Sequence, residues 1–439
     1  MPGNDLSELV GFMKRAAIDS FMAEQNYKPH FCNEDYYSLW GLIPDSNYSR
    51  PDENGRGGGE PFQFATWGES MAPSFEGIRD TIDGHVRPWL ILPDGSDCTV
   101  PQGKATAAAT IFGASAIGRS ISDNGAISLA NQSIKDVTDS KVSGTFTPPF
   151  LDKYYMQLGM VTYGIGAASA ILEANYAAQA EIWKAAEKDV FAICTDATEA
   201  LKAKAGHDSA QFGKITLLIA TAVAGAVVTV ASAGTAAPAV TALILLSSAA
   251  TATVSAVEAH ATISGSSYTE ILASLGEALD TLNTGITEQE DAFNTMMGAA
   301  VNTIENELFN FNLDAYNMKN YSGASETFRM LEGADEQIQL DMDRVATALS
   351  SAESGLSGPP ADNPTPRAAG IGADNGTHAK AQELHTLLAR CLTLTRAEYE
   401  RGQQLFDATV QDYINSEAAT TEVITRLAAA EALTEDMNL

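Results

Sequence analysis

Between Lys214 and Glu258 the chain runs for 43 residues without a single charge. Nothing else constrains the fold as strongly, because so long an uncharged run has to be hidden in protein or placed in lipid. A turn signal, Ala231-Ser-Ala-Gly-Thr-Ala-Ala-Pro238, divides the run into arms Ile215–Val230 and Ala239–Val257, of 16 and 19 residues. Apolar runs of about 18 residues or more can span a bilayer, whereas runs of roughly 10–14 suit a buried core helix. The arms fall on that border. They predict a helical hairpin over 215–257 whose apolar positions include Leu218, Val223, Val227, Val230, Leu243 and Leu245.

Three placements satisfy such a hairpin. It can be packed permanently under other helices, which its alanines, glycines and serines suit. It can be shielded in a water-soluble form and released to a membrane on assembly or on a trigger. It can also be a constitutive anchor, but Lys214 is the only flanking basic residue, the far side opens with Glu258 and His260, and lysines or arginines normally set orientation. Thr216, Thr221, Thr229, Thr241, Ser247, Ser248, Thr251 and Thr253 also fit a protein-lined or water-lined setting better than bulk lipid. The first two placements stay open.

The remainder of the chain is acidic, with 26 lysines and arginines against 56 aspartates and glutamates and a net charge of −30. That charge repels nucleic-acid phosphates and anionic headgroups, so a nucleic-acid partner is not expected. The first residues, MPGNDLSELVGFMKRAA, hold no continuous apolar core of a secretory leader. The expectation is export without a cleaved signal peptide, or residence in the cytoplasm. Cys32, Cys98, Cys194 and Cys391 lie far apart with no CxxC pair. Cys194 and Cys391 fall on helical patterns as small core residues, whereas Cys32 and Cys98 share a loop-rich region where a disulfide is one alternative.

Periodicity predicts an all-α fold, an elongated antiparallel bundle carrying the apolar hairpin and preceded by a loop-rich region. In residues 1–146 an amphipathic helix over 4–24 precedes a stretch rich in Pro, Gly and aromatics. Gly55-Arg-Gly-Gly-Gly59 reads there as a flexible loop, Met71–Thr81 as a helix and Val86–Leu92 as a short apolar element, before an Ala/Ser-rich helical region over about 104–139. Residues 147–353 form the bundle. Thr147-Pro-Pro149 opens a helix reaching about 206, since proline suits the first turn. Leu151, Tyr154, Leu158, Val161, Ile165, Ala168, Leu172, Ile182, Ala186 and Ile193 give it a coiled-coil-like seam, interrupted by Asn175, Gln179 and Asp189. Helices over 267–319 and about 324–352 follow. Residues 354–376, with four prolines and five glycines, read as a linker, and 377–439 as a last helix packed on the bundle.

No residue pattern announces an active site. There is no P-loop, HExxH or GxSxG, and Gly164-Ile-Gly166 lies inside a helix where small residues let neighbours approach. His378 and His385 share one helix face but sit roughly 10 Å apart, too far to ligate one metal. They read as a solvated face. Asp341 and Asp343 point to opposite sides of a helix. His30, Cys32 and Cys98 lack a fourth ligand for zinc. Neither catalysis, metal nor cofactor is expected.

The run Leu151-Asp-Lys-Tyr-Tyr155, the run Tyr163-Gly-Ile-Gly-Ala-Ala-Ser-Ala-Ile-Leu-Glu-Ala-Asn-Tyr-Ala177 and the Ala/Gly-rich 214–257 stretch resemble actinobacterial substrates of type VII (ESX) secretion systems. The resemblance covers mainly residues 150–320. Members of that group carry a WxG turn and a Tyr-x-x-x-Asp/Glu export signal. Trp40-Gly41 and Trp67-Gly68 lack the intervening residue, whereas Tyr413-Ile-Asn-Ser-Glu417 and Tyr48-Ser-Arg-Pro-Asp52 match the export pattern. Tyr413 and Glu417 are the better candidates, because an i,i+4 pair presents both groups on one face of a C-terminal helix. An apolar hairpin between two long helices is also similar in architecture to the haemolysin E group of α-pore-forming toxins. The resemblances imply a secreted, non-enzymatic effector that meets a membrane, a helical partner or further copies of itself. The alternatives are a pore-forming toxin component and a cytoplasmic scaffold with its hairpin buried.

Overall fold

Pro148 and Pro149 start the helix around which the rest of the chain packs. The computed structural model describes residues 6–30, 33–39, 48–61, 69–113, 126–206, 214–216, 260–316, 329–356, 362–374 and 376–436. Among these the architecture is all-α with a few short strands and a loop-rich N-terminal part. The helix opened by the two prolines reaches Gly206 as the sequence pattern suggested, with one irregularity near its start. A short α5 (Thr147–Leu151) passes into a π turn over Asp152–Gln157 before α6 (Leu158–Gly206) begins. At 49 residues α6 is about 74 Å long.

Every residue of α6 from Gly164 to Tyr176 is buried, so the helix is enclosed on all sides there and its apolar seam is only one of its contact faces. Helices α1 (Leu6–Glu24) and α3 (Thr99–Ile111) cover two sides, and α7 (Tyr268–Asn306) a third. Helix α7 runs antiparallel to α6. Phe311, just beyond its end, packs on Gly164 near the start of α6, and the Gln157 amide donates to the Phe309 carbonyl. Gly164 has the packing role its size suggests, for a Cβ there would lie 2.7 Å from the Phe311 ring. The expected helix over 267–319 stops at Asn306, because two 3-10 turns, Leu308–Asn310 and Leu313–Ala315, turn Phe311 and Leu313 fully inward.

The last two helices, α8 (Ala334–Leu356) and α9 (His378–Asp436), pair antiparallel through Arg396 to Glu353 and Gln339 to Asp407. Helix α9 locks on the start of the bundle, where Lys153 meets Glu398 at 2.6 Å and Phe406 packs on Phe146 and Phe150. Helix α8 starts ten residues later than expected. Residues 324–328 lie outside the described residues, and β7 (Arg329–Met330) pairs with β4 (Val142–Ser143), which follows α4 (Ala126–Lys141).

Residues 25–103 hold more regular structure than their loop-rich composition suggested. An antiparallel sheet of β1 (Tyr27–His30), β2 (Asn33–Leu39) and β3 (Tyr48–Ser49) lies beside α1, held by Arg50 and Tyr37 on the Asp19 carboxylate. Helix α2 (Ala72–Val86) extends one turn past the expected end, and Arg87–Leu90 is a 3-10 turn. The Gly55–Gly59 loop is built rather than loose. Buried Arg79 donates to the carbonyls of Gly55 and Gly57, and Gly55, Gly57, Gly58 and Gly59 all sit at positive φ. One continuous buried cluster joins these N-terminal elements to α6, α7, α8 and α9.

Candidate functional site

The residues on either side of 217–259 meet at one place. After α6 ends, β5 (Lys214–Thr216) pairs antiparallel with β6 (His260–Thr262), setting Ile215 opposite Ala261. This two-stranded clasp joins the residues that flank 217–259. The hairpin positions Leu218, Val223, Val227, Val230, Leu243 and Leu245 lie outside the described residues. Ile215 and Thr216, expected as the first helical residues, are extended instead, in keeping with the strand preference of β-branched side chains.

The returning strand is fixed firmly. Ala261 and Ile263 are buried in the core, and the Ser264 amide donates to the Ser274 hydroxyl at 3.1 Å. Helix α7 then starts with a capping arrangement: the Ser267 hydroxyl accepts from the Glu270 amide, and the Glu270 carboxylate accepts from the amide and hydroxyl of Ser266. The Ser266 amide holds the Glu270 carboxyl below its usual range. The Tyr268 amide donates to Glu24, which ties the end of α1 to the same place.

The long helix pair beneath the clasp has a polar core. Ser169, Glu173, Asn175, Gln179 and Asp189 of α6 and Gln289 and Glu290 of α7 are all buried. The Ser169 hydroxyl and both ends of the Asn175 amide have no hydrogen-bond partner among the described residues. Each such buried group costs about 1–3 kcal/mol relative to a satisfied one. Glu290 is better served: Arg367 donates to both its oxygens at 2.6 Å, and the Ala373 amide donates to it at 2.9 Å. Burial still pushes the Glu290 carboxyl upward, against the pull of Arg367. Residues 362–376 are therefore not the loose linker their composition suggested, since Asn283 and Asn294 also bind the backbone of Gly370, Gly372 and Gly376.

The export candidates lie at the opposite end. Phe406 sits beside Phe146 and Phe150, ahead of α6, so Tyr413 is separated from the clasp by about the length of α6, roughly 74 Å. Tyr413 is half-buried on α9, and Glu417 lies one turn further along the same helix. Tyr48 of the other match is buried in β3, and the Asp52 carboxylate accepts from the Arg56 amide, so that pair is not on a helix at all.

Outside this arrangement the chemistry-bearing residues behave structurally. Cys194 and Cys391 are buried, and burial pushes their thiols up to about 12 and about 11. Cys98 is buried as well, while Cys32 lies outside the described residues. Asp341 is fully buried on Ser133, Gln337 and Arg344, and Asp343 faces out, so they do take opposite sides. His378 and His385 are half-buried, against the solvated face expected of them, and burial lowers both imidazoles. Among the described residues no group of His, Cys, Asp and Glu could hold a metal ion, and no helix is long and apolar enough to cross a membrane.

Sequence reasoning missed a cleft of about 630 Å³ beside the clasp, between α2 and α7, with Phe21 of α1 in its floor. Its α2 wall, Ser74, Gly77, Ile78, Thr81 and His85, holds a single apolar side chain, too little for periodicity to show. Comparison of the chain with protein-family models, with curated proteins and with solved structures gives no match.

Proposed function

We propose that the chain is a secreted, non-enzymatic helical effector of the type VII class that meets membranes conditionally, or assembles with further copies of itself, through residues 215–257. One observation supports this most: the antiparallel clasp brings together the residues on either side of 217–259, and its returning strand leads into the capped start of α7. A segment so tethered can change its surroundings without unthreading either long helix. Insertion into lipid would bring the apolar positions of 217–259 into hydrocarbon, and self-assembly would bury them between copies.

The test is dye release from phosphatidylcholine liposomes, with and without anionic lipid, across a pH series, joined to limited proteolysis of the soluble protein. The reading expects a water-soluble protein that releases dye or forms oligomers under at least one condition, with 217–259 gaining protection as it does so. Protein that stays monomeric and leaves every liposome intact, with 217–259 resistant throughout, overturns it in favour of a scaffold.

A further inference from the structure

The cleft beside the clasp is a groove between two helices. Its α2 wall is formed by Ser74, Gly77, Ile78, Thr81 and His85, and its α7 wall runs from Tyr268 to Asp280. Those spans are about 16 and 18 Å long, roughly three helical turns. The floor is apolar: Ile78 and Leu272 are almost fully buried, and Phe21 meets Tyr268 edge-on at 5.4 Å and Phe75 at 6.3 Å. Gly77 keeps the groove open, since a Cβ there would meet nothing within 4 Å, whereas at the far end the His85 ring lies directly on the Gly276 backbone and closes it.

The charge at the groove has one sign. Glu277 and Asp280 stand exposed along the α7 wall, and neither has an ion-pair partner among the described residues. Asp80 is exposed on α2 as well. Arg79 is engaged on the Gly55 and Gly57 carbonyls, and Lys14 on Asp83. A second copy of this chain, at −30, is a poor match for such a rim.

We infer that the groove between α2 and α7 seats one amphipathic helix of a partner protein, its apolar stripe on Phe21, Ile78 and Leu272 and its lysines or arginines on Glu277 and Asp280. The length of the groove fits anchors at i, i+3/i+4 and i+7 of such a helix. This docking surface does not depend on whether residues 217–259 meet lipid.

The probe is a fluorescein-labelled helical peptide with leucines at i, i+3, i+4 and i+7 flanked by lysines, titrated into the full-length chain and followed by anisotropy. Saturable binding is expected, with no binding of the same peptide flanked by glutamates. Gly77→Leu should fill the groove and weaken binding about tenfold or more. It should leave thermal unfolding unchanged or slightly raised, because leucine is the better helix former and the site has room. Glu277→Lys with Asp280→Lys should reverse the preference towards the glutamate peptide. Failure of the lysine peptide to bind overturns the inference. So does binding that Gly77→Leu leaves intact, which would mark attraction to the acidic surface at large. Dodecyltrimethylammonium binding that Gly77→Leu abolishes, with no peptide binding, would make the cleft a small-amphiphile site and overturn it equally.

Discussion

The guanidinium of Arg367 lies 4.5 Å above the indole of Trp183 while both its contacts to Glu290 measure 2.6 Å. One side chain from a Pro/Gly-rich loop thus pins α6 and α7 together midway along their length. The arrangement is nearly dry, with Glu290 and Trp183 almost wholly inaccessible to solvent.

Arg367→Met should therefore destabilise the protein strongly. It leaves the Glu290 carboxylate buried without its partner, a loss of about 3–5 kcal/mol. Arg367→Met combined with Glu290→Leu should recover most of that loss, because an apolar pair of similar volume removes the stranded charge. Urea unfolding of the single and double variants measures both effects. Equal stability of the single variant and the parent would show that the loop is not anchored there.

Gly164 and Phe311 supply a second check on the long helix pair. Valine at 164 would drive its Cβ to within 2.7 Å of the Phe311 ring, which is fully buried and has little room to move. Gly164→Val should cost about 1–3 kcal/mol, more than the better helix propensity of valine returns. Phe311→Leu in the same chain should relieve part of the clash. A double-mutant cycle by chemical unfolding reads the coupling, and strict additivity would count against the packing.

Acid stability follows from two histidines. Burial lowers the imidazoles of His378 and His385 from the ordinary 6.5, with Lys104 adding to the shift at His385 and Asp362 opposing it at His378. The unfolded chain then takes up protons at a higher pH than the folded one. Stability is full above about pH 6.5 and declines as pH falls from there through the lower folded values. Glu290 contributes in the opposite direction, since its raised folded pKa favours the folded state as pH falls towards 4.5. Unfolding free energies measured from pH 7.5 to 5.5 should drop, and His378→Gln with His385→Gln should flatten the curve. An unchanged slope in the double variant would sink the assignment.

The helices were legible because their signals are local: Thr147-Pro-Pro149 does open a helix, and Leu158, Val161, Ile165 and Leu172 are all buried. What stayed hidden depends on partners far along the chain. The π turn buries Lys153, which is tolerable only because Glu398, 245 residues away, meets it at 2.6 Å. Gly370, Gly372 and Gly376 look like linker residues, yet each sits at positive φ so that the loop can wrap Glu290 and Arg367. Composition records the glycines but not the carboxylate they wrap. The clasp escaped notice for another reason. Two strands of three residues, each next to an apolar run, carry no period of their own.

Tyr413 tests the export reading separately from the membrane reading. It is half-buried on α9, about one turn beyond the buried Val410 and well away from the clasp and the Glu290 network. Tyr413→Ala should thus leave the fold intact and change unfolding free energy by no more than about 1 kcal/mol. In cells with a type VII system it should stop export, and Tyr413→Phe should retain it if the ring is what is recognised. Comparing secreted and cell-associated protein by immunoblot gives the answer. Normal export of Tyr413→Ala removes the signal assignment while leaving liposome behaviour untouched, because some 74 Å of α6 separates the two ends of the molecule.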